Sequence, residues 1–149
     1  MTDKLKIEVA LQIRKPASEV FEAIVNPNKM SNYFILKSSG RMQEGKEIKW
    51  WFPEFEEEFP IRVNRVEQDR YISYYWDIDE EELHVEITLT PREDSTLVSI
   101  TEKSKDNNEA GVKWLKSKTV GWANFLDGLK AYLEFGVNLR KGGFDFLKK

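Results

Sequence analysis

Alternation of hydrophobic and polar residues marks the first predicted element. Its apolar face carries Leu5, Ile7, Val9, Leu11 and Ile13, and the opposite face carries Lys6, Glu8 and Gln12. A period of two is typical of a half-buried β-strand. The following segment, SEVFEAIVNP, spaces its apolar residues as a short amphipathic helix does, and Pro27 marks its expected end.

Further along the chain, the same alternation recurs in five segments. Their predicted inward positions are Ile48, Trp50 and Phe52; Phe59, Ile61 and Val63; Ile72, Tyr74 and Trp76; Val85, Ile87 and Leu89; and Thr96, Val98, Ile100 and Glu102. Successive strands with no helix between them favour an antiparallel, strongly bent sheet. In EIKWWF the adjacent tryptophans should point to opposite faces, with one of them inside.

The period then changes to that of a helix between Asn108 and Leu139. Its apolar positions are Leu115, Trp122, Leu126, Leu129 and Leu133, with Phe125 and Tyr132 beside them. This spacing predicts one broad apolar face on a helix of roughly 25 residues, about 40 Å long, which could cross the whole sheet. Gly136 marks the predicted end of the helix, and we expect Phe144 and Phe146 of the following tail to fold back. Gly121 and Gly128 inside the helix indicate either close packing or simple tolerance, with equal weight.

Composition narrows the class of protein. A chain of 149 residues fits a single domain, 1–149. The net charge is −3 and the acidic and basic residues are interleaved, which argues against a nucleic-acid partner. No apolar run approaches the length of a membrane span or a signal peptide, so we expect a cytoplasmic protein without membrane insertion.

Motifs for catalysis are scarce. The absence of cysteine removes thiolate nucleophiles and cysteine-ligated zinc, and no phosphate-binding or nucleophile motif occurs. The single histidine, His84, falls on the face opposite the predicted core, where an exposed structural or neutral role is favoured over general-base work. The sequence therefore predicts no catalytic residue, no metal and no cofactor.

Two acidic features leave alternatives open. Glu102 continues the inward register of its strand, where a buried carboxylate could bind a polar ligand group or act as a base, but a strand end in solvent is the favoured interpretation. The segment PEFEEEF is interpreted as a solvated hairpin tip in preference to a metal or partner site.

The best candidate site is a set of aromatic residues together with Glu102. It consists of Trp50, Phe52, Tyr74, Trp76, Glu102, Trp122 and Phe125. If the sheet and the helix pack tightly, these rings form core; if they stand apart, the rings line an apolar pocket. The two interpretations carry equal weight.

Two stretches resemble a known superfamily. IRKPASEVFEAIVNP resembles the opening of the START/Bet v 1-like (SRPBCC) superfamily, and GWANFLDGLKAYLEFG resembles the closing helix of the branch named after the activator of Hsp90 ATPase. The matching positions of that helix are Gly121, Trp122, Leu126, Leu129, Lys130, Tyr132, Leu133, Glu134 and Gly136. The resemblance implies an α+β helix-grip fold, in which a curved antiparallel sheet wraps around a long C-terminal helix and two short helices follow the first strand.

The resemblance also implies candidate functions. The first is non-catalytic binding of a small apolar or amphipathic ligand in a cavity between the sheet and the helix. The alternatives are a chaperone-interaction protein similar to Hsp90 activators, or a cyclase- or hydrolase-like enzyme that would need Glu102 and Tyr74 or Tyr75 within reach of one another. We expect a monomer or a weak homodimer.

Overall fold

A computed structural model describes residues 4–78 and 81–148 and confirms the α+β helix-grip fold. The strands are β1 (Leu5–Ile13), β2 (Lys37–Ser38), β3 (Glu47–Trp51), β4 (Glu58–Glu67), β5 (Tyr71–Ile78), β6 (Glu81–Arg92) and β7 (Ser95–Lys105). The helices are α1 (Ala17–Val25), α2 (Pro27–Met30) and α3 (Glu109–Phe135), followed by a short 3-10 helix, Asp145–Leu147. None of the helices in these described residues is long and apolar enough to cross a membrane.

The strands form one antiparallel sheet in the order β1-β7-β6-β5-β4-β3-β2. The inward positions predicted for β3 to β7 are buried on one face, apart from the partly buried Phe59. On β1, Ile7 and Ile13 are buried, whereas Leu5, Val9 and Leu11 are partly buried. Trp50 is buried and Trp51 is half-buried on the other face, as the alternation predicts. The two-residue strand β2 carries too few positions for a periodic signal, and the sequence did not predict it.

An irregularity in β4 contributes to the bend of the sheet. The register of β4 against β5 shifts between Val63 and Val66, and the backbone N–H of Arg65 donates to the hydroxyl of buried Ser73 at 3.2 Å. A bulge of this kind bends a strand and increases its local twist.

Helix α3 packs on the concave face of the sheet, mainly against β1. Its buried side chains are Trp114, Trp122, Phe125, Leu126 and Leu129. The helix begins after Asn108, whose side chain accepts from the N–H of Gly111 at 2.8 Å, and it ends at Gly136, which has a φ of 67°. The predicted end is therefore confirmed, whereas burial of Trp114 was not predicted.

The segment after α1 packs against α3. Pro27 ends α1 as expected and also opens α2, where its missing N–H costs nothing. The buried Tyr33 donates its hydroxyl to the carbonyl of Ala23 at 2.8 Å. A Cβ on Gly128 would lie 3.2 Å from the carbonyl oxygen of Tyr33, so this glycine permits close approach, whereas a Cβ on Gly121 would meet nothing within 4 Å.

A candidate ligand-binding cleft beside the long helix

A cleft of about 500 Å³ lies between α3, the β3–β4 hairpin and the C-terminal tail, which comprises residues 137–148. The lining residues are Phe34, Phe52, Glu54, Phe55, Glu57, Phe59, Trp76, Ser117, Lys118, Val120, Gly121, Trp122, Asn124, Arg140, Phe144 and Leu147. Helix α3 contributes its middle turns and the hairpin contributes its connecting loop, so the cleft is assembled from segments distant in sequence.

Aromatic rings form most of the walls of the cleft. Phe34 lies 5.2 Å from Phe52 and 6.0 Å from Trp122 between ring centroids, and Phe52 lies 5.3 Å from Phe59. The Phe52 contacts are edge-to-face, the arrangement that ring quadrupoles favour. Flat apolar walls with a few polar groups are typical of small-molecule sites.

The predicted site residues divide into two layers. Phe52, Trp76 and Trp122 line the cleft. Trp50, Tyr74 and Phe125 are fully buried behind them and belong to the core.

The rings of the two layers are in contact. Trp50 lies 6.1 Å from Trp76, and Trp122 lies 5.4 Å from Phe125. Trp76 on the sheet and Trp122 on α3 lie 6.2 Å apart, so the sheet and the helix pack closely beneath the cleft. Three of the six predicted rings thus belong to the core and three line the cleft.

Glu102 lies beneath the cleft and is 0% exposed. Its Oε2 accepts from the indole N–H of Trp76 at 2.7 Å, and its Oε1 accepts from the indole N–H of Trp122 at 3.0 Å. The expectation that Glu102 ends its strand in solvent is wrong, because β7 continues to Lys105 and α3 covers this face. The carboxylate instead fixes the orientation of two tryptophan walls.

A lysine compensates the charge of Glu102. The Nζ of Lys118 lies 3.8 Å from Oε1 of Glu102 and 4.4 Å from the ring centroid of Trp76. A buried carboxylate without such partners would carry a large desolvation cost.

Tyr74 carries a second polar group in this region. Burial, with a contribution from the negative charge of Glu102, raises the pKa of Tyr74 well above its usual value, so its hydroxyl stays neutral. Its hydroxyl oxygen has no hydrogen-bond partner within the residues that the structure describes.

Arg140 brings the tail to the cleft. Its guanidinium forms a hydrogen-bonded ion pair with Glu54 and lies 4.6 Å from the ring centroid of Phe144, 5.6 Å from that of Phe52 and 5.7 Å from that of Phe34. Both charged side chains are largely buried. Burial lowers the pKa of Arg140, and the charge and hydrogen bond of Glu54 oppose that effect.

The course of the C-terminal tail corrects two predictions. The segment PEFEEEF is not only a solvated tip, because the returning tail covers Glu54 while Glu56 to Glu58 remain exposed. The tail does fold back at Phe144, which lines the cleft, but Phe146 is 79% exposed.

Tyr75, His84 and Arg62 lie on the outer face of the sheet. Tyr75 and His84 stack with ring centroids 4.5 Å apart, so His84 is half-buried there and not fully exposed. Arg62 pairs with Asp77 and Glu82 on the same face. Glu102, Tyr74 and Tyr75 therefore do not converge on one open site, and the described part of the chain holds no group of three or more His, Asp or Glu arranged for a metal ion.

Sequence reasoning missed most of the cleft lining, including Phe34, Glu54, Lys118 and Arg140. Lys118 lies four residues before Trp122, so helical spacing alone places it on the same face. No comparable signal exists for Phe34 or Arg140, because both lie in irregular segments whose direction depends on tertiary contacts.

Comparisons with known proteins agree with this architecture. The crystal structure of SSP2350 from Staphylococcus saprophyticus has 33% identity and a TM-score of 0.82, with 91% of this chain and 96% of that chain covered. DynU16, from the dynemicin biosynthetic locus, has 25% identity and a TM-score of 0.78, with 89% of this chain covered but only 48% of that chain. The Aha1 dimer of Colwellia psychrerythraea has 18% identity and a TM-score of 0.77, covering 89% and 98%, and at this identity the likeness shows the fold alone.

A search of the curated proteins found no match. The profile of the family described as Activator of Hsp90 ATPase homolog 1-like protein matches residues 14–134, which is most of the chain. This match begins just after β1, ends in the last turn of α3 and covers nearly all of both stretches that carry the resemblance. The chain therefore belongs to the activator of Hsp90 ATPase homolog 1-like family, within the Bet v 1-like superfamily.

Proposed function

We propose that this protein binds a small apolar or amphipathic molecule in the aromatic cleft and releases it unchanged. The observation that carries the proposal is the cleft itself, which combines a volume of about 500 Å³ with walls of phenylalanine and tryptophan. Ligand sites of proteins commonly have volumes of several hundred cubic ångströms and mainly apolar linings.

The polar groups around the cleft favour binding over catalysis. Both oxygens of Glu102 accept indole hydrogen bonds, and the carboxylate lies beneath the rings and not at the surface of the cleft. A general acid or base must come within hydrogen-bond reach of a reacting group. The geometry of Glu102 instead suits the positioning of Trp76 and Trp122.

Two solved structures of similar proteins support the proposal. DynU16 belongs to the dynemicin biosynthetic locus, which suits a role connected with a small molecule. A weak homodimer is compatible with the dimeric Colwellia protein of the same fold.

A chaperone partner is the second candidate, and it rests on the family match. A pull-down from host lysate tests it, since recovery of a chaperone by the wild-type protein would support it and repeated failure to recover one would exclude it.

A titration with the uncharged fluorophore N-phenyl-1-naphthylamine tests the proposed function. We expect its emission to rise as it enters the cleft of the wild-type protein. In the Gly121→Leu variant the new side chain extends into the cleft, and the emission should stay near that of the free dye. The added Cβ meets nothing within 4 Å, and leucine favours a helix over glycine by roughly 0.5–1 kcal/mol, so the variant should fold at least as stably as the wild type.

The matched control is Ala123→Leu, which adds bulk at an exposed position of the same helix outside the cleft lining. This variant should bind the dye as the wild type does. Equal dye binding by the wild-type protein and the Gly121→Leu variant would contradict the proposed site.

A further inference from the structure

The two cations at the cleft already have carboxylate partners. Arg140 forms an ion pair with Glu54, and Lys118 lies 3.8 Å from Glu102. The exposed Glu57 adds a further negative charge to the lining. An anionic ligand would therefore meet no surplus positive charge from these groups, and its desolvation would not be repaid by a new charge pair.

Arg140 nevertheless retains hydrogen-bonding capacity. Its Nη2 donates to Glu54, while its Nε is buried and has no acceptor among the described residues. The guanidinium presents five N–H donors in a rigid plane, and this plane is held against Phe34, Phe52 and Phe144. The buried Nε is out of reach of a ligand, but the side chain lines the cleft and remains 19% exposed. A hydrogen bond from the exposed N–H groups of this charged donor to an acceptor on a ligand would be stabilising.

We infer that the ligand of the cleft is an uncharged molecule with an aromatic or similarly apolar body and a carbonyl oxygen that accepts a hydrogen bond from the Arg140 guanidinium. This inference rests on the proposed function and makes its ligand class specific. The aromatic walls select the apolar body, and the paired cations disfavour a carboxylate.

Calorimetric titration of the protein with three matched probes tests the inference. The probes are 2-acetylnaphthalene, which carries a ketone; 2-isopropenylnaphthalene, which has nearly the same shape without the oxygen; and 2-naphthoate, which carries a charge. One hydrogen bond from a charged donor should make the ketone bind at least about tenfold more tightly than the hydrocarbon. The carboxylate should bind no more tightly than the ketone.

Two variants separate the contribution of Arg140 from that of Glu54. In the double variant Glu54→Gln with Arg140→Met, both members of the ion pair are replaced together, and the ketone and the hydrocarbon should bind within about twofold of each other. In Glu54→Gln alone, the guanidinium remains but loses its carboxylate partner. The preference for the ketone should persist there, and 2-naphthoate should gain affinity relative to the wild type.

The outcomes separate this inference from the proposed function. Equal affinity for the ketone and the hydrocarbon, with both lost in Gly121→Leu, would overturn the inference and leave the proposed function standing. Tighter binding of 2-naphthoate than of the ketone to the wild type, or no gain for 2-naphthoate in Glu54→Gln, would also overturn the inference. Failure of all three probes to bind would count against both proposals.

Discussion

Glu102 is the residue on which the geometry of the cleft depends most directly. Its carboxylate accepts the indole N–H groups of Trp76 and Trp122, and these two rings form part of the cleft wall. Hydrogen bonds to a charged acceptor contribute about 1.5–3 kcal/mol each when both partners are buried. The loss of this acceptor should therefore be visible in stability as well as in ligand binding.

Replacement Glu102→Gln tests this role. The amide keeps only one acceptor oxygen, and its NH₂ group would face an indole N–H, so we expect a loss of roughly 2–4 kcal/mol in the free energy of unfolding in urea. The control is Glu47→Gln, an exposed position of β3, which should change stability by less than about 0.5 kcal/mol. Equal urea midpoints for the two variants would show that Glu102 does not have this role.

At the scale of elements, close contact fixes α3 to the segment after α2. Gly128 approaches the backbone of Tyr33, and the ring of Tyr33 stacks at 5.9 Å on Tyr132 of the next turn. Gly121, two turns earlier, faces the open cleft. The two glycines thus lie on one helix in opposite environments.

A pair of alanine substitutions separates these environments. Gly121→Ala should stabilise the fold by about 0.5–1 kcal/mol through helix propensity alone. Gly128→Ala gains the same propensity but forces a Cβ to 3.2 Å from a carbonyl oxygen, so it should be less stable than Gly121→Ala by at least about 1 kcal/mol. Thermal unfolding of both variants measures the difference, and equal stabilities would mean that the helix does not pack this closely.

Glu134 joins the last turns of α3 to the end of β1. Its carboxylate accepts from the backbone N–H of Arg14 at 2.9 Å, from the Arg14 guanidinium at 3.0 Å and from Lys130. Burial alone would raise the pKa of Glu134, but these donors and charges lower it from 4.5 to about 2. A carboxylate with a lowered folded-state pKa stabilises the protein above its unfolded pKa and loses that contribution as the pH falls.

The stability of the wild type should therefore decrease between about pH 5 and pH 2, with Glu134 contributing roughly 1–3 kcal/mol of the loss. The Glu134→Gln variant should be less stable than the wild type at pH 7 and should lose less between pH 7 and pH 3. Urea unfolding at the two pH values measures both quantities. A variant with the same acid dependence as the wild type would contradict the lowered pKa.

At the scale of the whole molecule, periodic segments explain why most of the fold could be predicted. Alternation placed the buried residues of the long strands correctly, because one face of the sheet is covered and one is not. The helical period did the same for Trp122, Phe125 and Leu129 in α3. Each of these signals is local to its element.

The cleft was harder to predict, because its boundaries depend on segments without a period. Arg140 reaches Glu54 across 86 positions of sequence, and Phe34 enters from the turn after α2. The direction in which each of these two side chains points cannot be derived from its neighbours in sequence. The sequence therefore predicted aromatic rings of the right elements but could not separate those that line the cleft from those that form the core behind it.

The indole N–H signals of the five tryptophans test the central claim most directly, in a two-dimensional ¹⁵N–¹H spectrum recorded during titration with N-phenyl-1-naphthylamine. We expect the signals of Trp76 and Trp122 to shift, since both line the cleft, while those of Trp51 on the outer face and Trp114 outside the cleft lining stay in place. Shifts confined to Trp51 or Trp114, or no shift at saturating dye, would contradict a ligand cleft between α3 and the β3–β4 hairpin.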